Sequence, residues 1–334
     1  MTSAAELTLD ELTKFGIQPE DEGTHPYSPE HEWWNESWFL DWFADDARRA
    51  GHVRIGLHPN QDRAWLWCLA YEDGEWLVLE ETRLLLGDVD TDTLSYDKWG
   101  LSFTWERTDP LRRGRLRVNG YGRVVTGPRA GLVLPVAVDL AYETAGAAHS
   151  TGPSDVAGHA DLSGKYQACR FEQAVSLEGE FGIGTATPFV GKGERDHSWG
   201  PRDWNIEWTF CVAGNDDFRM QWATVDLPGM DRIGAGYLHR DTTMNLTDVQ
   251  QQLEFRDDDL VSPVQGPFTV TAEDGATMSG RLEPVAGVEI DLAHTFVPPR
   301  PTVYRRTLVR LHRDDGGAPA LGWLESNRFV RSFD

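Results

Sequence analysis

The 334-residue chain carries 54 acidic and 31 basic side chains, a formal net charge of −23, with 40% hydrophobic residues. This composition is that of a globular protein, and the length is enough for about two domains. A surface this acidic repels phosphate backbones and anionic lipids, so we do not expect a nucleic-acid partner. No apolar window of about 18 residues and no leader-like amino terminus occur, so we expect no membrane insertion and a cytoplasmic location.

Neither a cofactor nor a metal is expected from sequence motifs. The three cysteines, Cys68, Cys169 and Cys211, are far apart and flanked by strand-like residues, which favours buried reduced thiols over disulfides or a zinc site. The ten histidines form no H-x-H or H-E-x-x-H pattern. Glycine-rich loops of the dinucleotide or P-loop type are also absent from the sequence.

In chain order, the first predicted element is a short helix that begins after Thr8, because Thr8 and Glu11 have capping-box spacing and Gly16 is a stop signal. A second short helix is expected over 36–50, where Trp38 and Trp42 recur at helical spacing. From His52 the sequence HVRIGLHPNQDRAWLWCLAYEDGEWLVLEE predicts three antiparallel strands, because HPNQD and EDG are turn sequences.

The rest of the chain has further short strand-like runs at roughly regular spacing. This pattern predicts an all-β protein of two antiparallel barrel or sandwich domains with few helices. Residues 145–164, rich in Gly, Ala and Ser, are expected to form a long loop. We place a short N-terminal arm at 1–24, a first β domain at 25–193 and a second at 194–334.

The segment GERDHSWGPRDW, at 193–204, concentrates charged residues among tryptophans more than a strand connection requires. A solvated loop of paired Arg and Asp is the alternative. His197 and Trp199 are two residues apart, so in an extended chain they point to the same side.

A β-hairpin is expected next, with WNIEWTFCVA and FRMQWATVDL joined by GNDD. In its second strand Met220, Trp222, Thr224 and Asp226 share one face. A face that combines Met, Trp, Thr and a carboxylate is typical of the wall of an apolar pocket that contains one acid. Asp226 also precedes LPGMD, where its alternative role is to begin a turn.

Three motifs carry a family resemblance: VRIGLHPNQDRAWLW in the first half, GKGERDHSWGPRDW in the middle and LGWLESNRFVR near the end. They resemble the family of carotenoid 1,2-hydratase, also called hydroxyneurosporene synthase, and its AttH-like relatives. The resemblance covers nearly the whole chain and implies two lipocalin-like β-barrel domains side by side. The same architecture serves kievitone hydratase-type enzymes and some Diels–Alder cyclases, so the DHSWG motif is more specific for the family than for a substrate.

The resemblance implies site residues and a reaction. Carotenoid hydratases use an H-x-W, matched by His197 and Trp199, and a following Tyr-x-Asp, matched by Thr224 and Asp226 with the tyrosine replaced. The implied reaction is cofactor-independent hydration of an alkene, or dehydration of a tertiary alcohol, on an apolar isoprenoid-like or polyketide-like substrate. Asp226 would donate the proton, and indole faces would stabilise the carbocation. The expected substrate-binding residues are Trp204, Asn205, Glu207, Met220 and Trp222.

Two other function classes stay open. A cyclase would only fold a polyene into a reactive shape and polarise one group by hydrogen bonding. A carrier of lipophilic molecules is equally compatible with a lipocalin-like fold, since a fold does not determine function.

Overall fold

The computed structural model describes residues 7–150, 169–201, 207–226, 232–256, 262–291 and 302–329. The chain divides into two compact units, Met1–Arg202 and Asp203–Asp334. Both are antiparallel β structures, which confirms the predicted fold class. None of the helices in the described ranges is long and apolar enough to cross a membrane.

The described residues of the first unit form eleven strands. They are β1 Trp34–Phe43, β2 Arg49–His58, β3 Arg63–Glu72, β4 Glu75–Leu85, β5 Ser95–Lys98, β6 Leu101–Asp109, β7 Arg113–Val124, β8 Val133–Thr144, β9 His149–Ser150, β10 Cys169–Ile183 and β11 Thr187–Pro201. Eight of them form a ring in the order β4-β3-β2-β1-β11-β10-β8-β7, and a β4–β7 pairing closes it. The first unit is therefore a closed eight-stranded barrel.

The division between the units falls after Arg202, whereas we placed it between residues 193 and 194. Strand β11 explains the difference, because it pairs along its length with β10 and with β1. The DHSWG motif consequently belongs to the first barrel.

The N-terminal segment has the predicted capping box. The Thr8 hydroxyl accepts from the Glu11 backbone N–H, and the Glu11 carboxylate accepts from the Thr8 N–H, at the start of helix α1, Leu9–Leu12. Three short 3₁₀ helices lie at Pro19–Glu22, Pro59–Gln61 and Leu86–Asp88.

The helix predicted over 36–50 is wrong: these residues form most of β1 and the start of β2. The spacing of Trp38 and Trp42 misled the prediction, because residues four apart share a face in a strand as well as in a helix. Nine of the ten β1 residues are buried, so no polar alternation marks the strand.

Strand β1 has two different faces. Trp38, Leu40 and Trp42 belong to the apolar core inside the barrel. Their neighbours Phe39 and Asp41 point outward, yet they are buried as well. Paired residues of adjacent strands point to the same side, so the register assigns each residue of β10, β11, β2 and β3 to the inward or the outward face.

Nine strands are formed by the part of the second unit that the structure describes. They are β12 Glu207–Gly214, β13 Arg219–Asp226, β14 Ile233–His239, β15 Thr243–Gln251, β16 Glu254–Phe255, β17 Pro263–Ala272, β18 Thr277–Asp291, β19 Thr302–Arg313 and β20 Ala320–Phe329. The order β15-β14-β13-β12-β20-β19-β18-β17 closes through a β15–β17 pairing. Strands β12 and β13 form the predicted hairpin, with Glu207 opposite Asp226.

Candidate functional site

His197 and Trp199 lie on the inward face of β11. His197 is the register partner of Trp38 on β1, and the two rings stack with centroids 4.4 Å apart. The rings of His197 and Trp199 lie 5.0 Å apart. The extended geometry therefore places both on one side of the strand, as their spacing predicted.

A carboxylate joins His197 to a second histidine. One oxygen of Glu36, Oε1, lies 3.1 Å from His197 Nε2 and 2.8 Å from His25 Nδ1. The His25 backbone N–H also donates to both Glu36 oxygens, at 3.0 and 3.1 Å. Trp199 stacks on His25 with centroids 3.8 Å apart and planes 4° from parallel.

Both ring nitrogens of His197 face acceptors. Nδ1 lies 2.8 Å from the Asp21 carbonyl oxygen, and Nε2 faces the Glu36 carboxylate. Burial raises the pKa of Glu36, but the hydrogen bonds from His197 and His25 outweigh burial and hold that pKa below its ordinary value of 4.5. Both edges of the His197 ring are thus occupied, one by the Asp21 carbonyl oxygen and one by Glu36.

A buried ion pair lies in the same barrel. The Arg195 guanidinium is 2.6 Å from Glu22 Oε1, which also accepts from the Leu111 N–H at 2.8 Å. Burial raises the pKa of Glu22, but the attraction and hydrogen bond of Arg195 prevail and lower it. Glu22 and His25 thus connect the N-terminal segment to inward-facing residues of β11.

The predicted acid, Asp226, is paired with an arginine. Its two carboxylate oxygens accept from Arg232 Nε and Nη2 at 2.7 and 2.9 Å. Thr224 is buried at the end of the same strand, and Glu207, the register partner of Asp226, lies 3.7 Å from Arg328 Nε. Both oxygens of Asp226 are therefore engaged by a cation in this arrangement.

Met220 and Trp222 lie in the core of the second barrel and are fully buried. The Trp222 indole N–H donates to Gln251 Oε1 at 2.6 Å, and the Trp222 ring stacks on Phe268. The remaining predicted substrate-binding residues, Trp204 and Asn205, lie outside the described residues.

A second cluster, missed in the sequence, occupies the outward face of the first barrel. The register aligns one residue from each of five neighbouring strands in a row. We call this row the outward row; it consists of Glu172, Asp196, Phe39, Arg54 and Trp67. All five members are buried, and the Arg54 guanidinium lies 5.2 Å from the centroid of the Trp67 ring.

Glu172 differs from the other acids of this barrel in its charge environment. The Arg170 guanidinium contacts Glu172 through Nε and reaches Asp196 Oδ2 at 2.6 Å through Nη2, so two carboxyl groups share one cation. Burial is the main cause that raises the pKa of Glu172 well above 4.5; Arg170 opposes it, and Asp196 and Glu194 add to it. Glu172 is thus a carboxyl group that resists ionisation.

One pattern in the sequence could have indicated part of the outward row. In GERDHSW, Glu194 and Asp196 have the spacing of one strand face, and residues 195 and 197 have that of the other. Alternation of acids with Arg and His inside a strand indicates two polar faces. The role of Glu172 could not be found this way, because it depends on a cross-strand partner.

Residues 18–330 match the family model described as a domain of unknown function, DUF7064. The chain belongs to this family. A search of curated proteins finds no match. The family match spans both barrels.

Several solved structures share the fold. A candidate AttH protein of Nitrosomonas europaea is 14% identical with a TM-score of 0.64, over 99% of this chain and 100% of that chain. CghA with Sch210972 is 14% identical with a TM-score of 0.52, over 90% and 89%. Kievitone hydratase of Nectria haematococca is 10% identical with a TM-score of 0.51, over 88% of both chains. These likenesses support the expected architecture; the narrower relation to carotenoid hydratase stays a prediction.

Proposed function

We propose that this protein adds water to an alkene of an apolar small molecule, or catalyses the reverse dehydration, with Glu172 as the proton donor. The observation that carries the proposal is the position of Glu172: a fully buried carboxyl group that shares Arg170 with Asp196 and lies in a row with aromatic side chains. A general acid must still hold its proton near neutral pH, and this environment favours the protonated form.

The proposed hydration needs a proton donor, a group that stabilises a carbocation and a water molecule that adds to it. Protonation of the less substituted alkene carbon breaks the π bond and leaves a carbocation on its neighbour. The faces of aromatic rings stabilise cations, and Phe39, two strands from Glu172, is the aromatic member of the outward row nearer to it. Water then bonds to the cation, and the proton that it loses returns to the Glu172 carboxylate. The cycle closes without an oxidant or a reductant.

Glu172 is a better proton donor than Asp226 on geometric grounds. Both oxygens of Asp226 accept from one guanidinium in a two-bond arrangement. Arg170 instead divides its contacts between Glu172 and Asp196. The resemblance assigns the role of proton donor to Asp226. The activities of variants at Glu172 and Asp226 therefore distinguish the two assignments.

The substrate class is supported by the relatives that share the fold. One of them is named a hydratase of kievitone, and another is seen with the small molecule Sch210972. A cyclase on the same scaffold is the second candidate, since a protonated Glu172 could also donate a hydrogen bond that polarises a polyene substituent.

The test uses acyclic terpenoid alkenes and tertiary terpene alcohols in ¹⁸O-labelled water, with the full-length protein and two matched amide variants, Glu172→Gln and Asp226→Asn. We expect the wild type and Asp226→Asn to incorporate label or exchange the alcohol oxygen, and Glu172→Gln to lose this activity. Loss in Asp226→Asn with full activity in Glu172→Gln would return the acid role to Asp226. Isomerised or cyclised products without label would replace hydration by cyclisation.

A measurement without substrate tests the donor itself. The infrared spectrum of the wild type at pH 7 should contain the carbonyl stretch of a protonated carboxylic acid, and Glu172→Gln should lack it. If the two spectra are the same in this region, Glu172 is ionised and cannot be the proton donor.

A further inference from the structure

Three residues that could bind a metal lie together inside the first barrel: His25, Glu36 and His197. We call them the inward cluster. His25 Nδ1, Glu36 Oε1 and His197 Nε2 all lie within 4.8 Å of one another. They come from three separate parts of the first unit: the N-terminal segment, β1 and β11. This separation explains why histidine spacing in the sequence showed no metal motif.

The other side of the His197 imidazole has the kind of partner that metal sites require. The remaining nitrogen of His197, Nδ1, lies 2.8 Å from the Asp21 carbonyl oxygen, and that of His25, Nε2, lies 3.8 Å from an Asp21 carboxylate oxygen. Metal-binding histidines nearly always direct their second nitrogen to a carbonyl or a carboxylate, which fixes the tautomer. The Asp21 carbonyl oxygen therefore supplies the outer contact of His197, and the Asp21 carboxylate lies near the outer nitrogen of His25.

Stacked indoles fix the planes of both rings. Trp199 covers His25 and Trp38 covers His197. His197 and Glu36 are buried, whereas His25 and Trp199 are partly exposed, so the cluster is reached from the side of His25. Such a site is rigid on its inner side and open on one side.

We propose that His25, Glu36 and His197 bind one divalent transition-metal ion of the zinc and iron(II) class. Two imidazoles and one carboxylate are the protein ligands of catalytic zinc and of non-haem iron sites, and three ligands leave a position for water or a substrate oxygen. The proposal goes beyond the proposed hydration and does not depend on it, because its ligands are on the opposite face of β11 from the outward row.

The competing explanation is a purely structural hydrogen-bond cluster. In that case the Glu36 carboxylate accepts from both rings, and the three residues only fasten the N-terminal segment to the barrel. A metal would replace those hydrogen bonds by coordination, so the two explanations predict opposite responses to added ions.

The experiment is a titration of the full-length protein, freed of metal with a chelator, by Zn²⁺ in a calorimeter and by Co²⁺ in a spectrophotometer. We expect one ion per chain and Co²⁺ absorption bands of imidazole and carboxylate coordination. His25→Ala and Glu36→Gln should each weaken binding at least about 100-fold, beyond the effect of losing an outer contact. His312→Ala is the matched control, because His312 pairs with Glu283 as an isolated histidine–carboxylate contact in the second unit.

The outcomes separate the explanations. Binding of one ion that His312→Ala leaves unchanged supports the site. No one-to-one binding of either ion by the wild type would overturn it, as would unchanged affinity in both His25→Ala and Glu36→Gln. Circular dichroism of each variant checks that lost binding does not come from lost folding. Since the readout is binding, failure here leaves the hydration test unaffected.

Discussion

Replacing Glu172 with glutamine should make the protein more stable at pH 7, although it removes a buried ion-pair partner. A glutamate in the unfolded chain has a pKa of 4.5, and burial with the nearby acids Asp196 and Glu194 raises the pKa of Glu172 well above that value in the folded protein. The contribution of such a group to stability is complete below the unfolded pKa and is lost as the pH rises through the folded pKa. Glutamine has no proton to lose, so its contribution stays constant.

The size of the effect follows from the pH interval. Each unit by which the pKa is raised above 4.5 corresponds to about 1.4 kcal/mol, so the cost at pH 7 has an upper limit of about 3.5 kcal/mol. Glu172 is fully buried, so solvent does not screen the effect. Glutamine keeps an oxygen that can accept from Arg170. We therefore expect a gain of about 1–3 kcal/mol at pH 7 that disappears near pH 4.5.

Urea unfolding between pH 4.5 and 8, followed by tryptophan fluorescence, measures this gain. Nine of the 14 tryptophans lie between Trp33 and Trp105, so the signal reports mainly on the first unit. Glu178→Gln, an exposed position on the same strand, is the control and should change little. A less stable Glu172→Gln with a pH-independent difference would show that Glu172 is ionised and stabilising, which would refute the reasoning.

Three further predictions follow from buried groups. Glu22→Gln leaves the Arg195 guanidinium without its buried carboxylate and should destabilise the first unit by about 3–5 kcal/mol. Glu20→Gln, at an exposed position, is the control and should not destabilise it. Urea unfolding measures both variants, and equal effects would contradict the role of the ion pair. Burial raises the pKa of Cys68 to about 12, so a thiol reagent at pH 8 should label it only after unfolding; rapid native labelling would contradict its burial. Trp222→Phe removes the hydrogen-bond donor to the buried Gln251 Oε1 and should lower the free energy of unfolding of the second unit by about 1–3 kcal/mol. Thermal or urea unfolding measures this loss. An unchanged unfolding midpoint would mean that this hydrogen bond does not contribute to stability.

Local patterns in the sequence predicted the local structure well. Turn sequences separated the strands β2, β3 and β4, and the GNDD turn located the β12–β13 hairpin. The capping box of Thr8 and Glu11 also formed, although α1 ends at Leu12, four residues before Gly16. These features depend on residues close together in the chain, so their physics is visible in the sequence.

The helix prediction over 36–50 failed for a reason of burial. A strand covered on one face alternates apolar and polar residues, but both faces of β1 are buried. Aromatic spacing was then the remaining signal, and a spacing of four fits both kinds of element. Closure of the barrel, which places β1 between β2 and β11, decided the outcome.

Candidate sites were harder to predict because their members meet only across strands. Glu172 is buried only once the barrel forms, and it then shares Arg170 with Asp196 on the neighbouring strand. His25 meets His197 only because the N-terminal segment reaches inward-facing residues of the barrel. The H-x-W motif did locate one member of the inward cluster. Its carboxylate partner, Glu36, was hidden inside the region predicted as a helix.

The two faces of β11 show how one strand can support opposite electrostatic environments. On its inward face Arg195 and His197 each meet one carboxylate, Glu22 and Glu36, and both acids have lowered pKa values despite burial. On its outward face the strand contributes acids, and Arg170 alone contacts both Glu172 and Asp196 in the described ion pairs.

The partners of each carboxyl group, rather than burial, therefore separate the two faces. Burial raises the pKa of Glu22, Glu36 and Glu172. The contacts of Arg195 outweigh burial at Glu22 and the hydrogen bonds of the two histidines outweigh it at Glu36, whereas Arg170 does not outweigh it at Glu172. Adding a cation to the outward face should thus convert Glu172 from a proton donor into a carboxylate. This dependence is the physical basis for the acid role that we propose for Glu172.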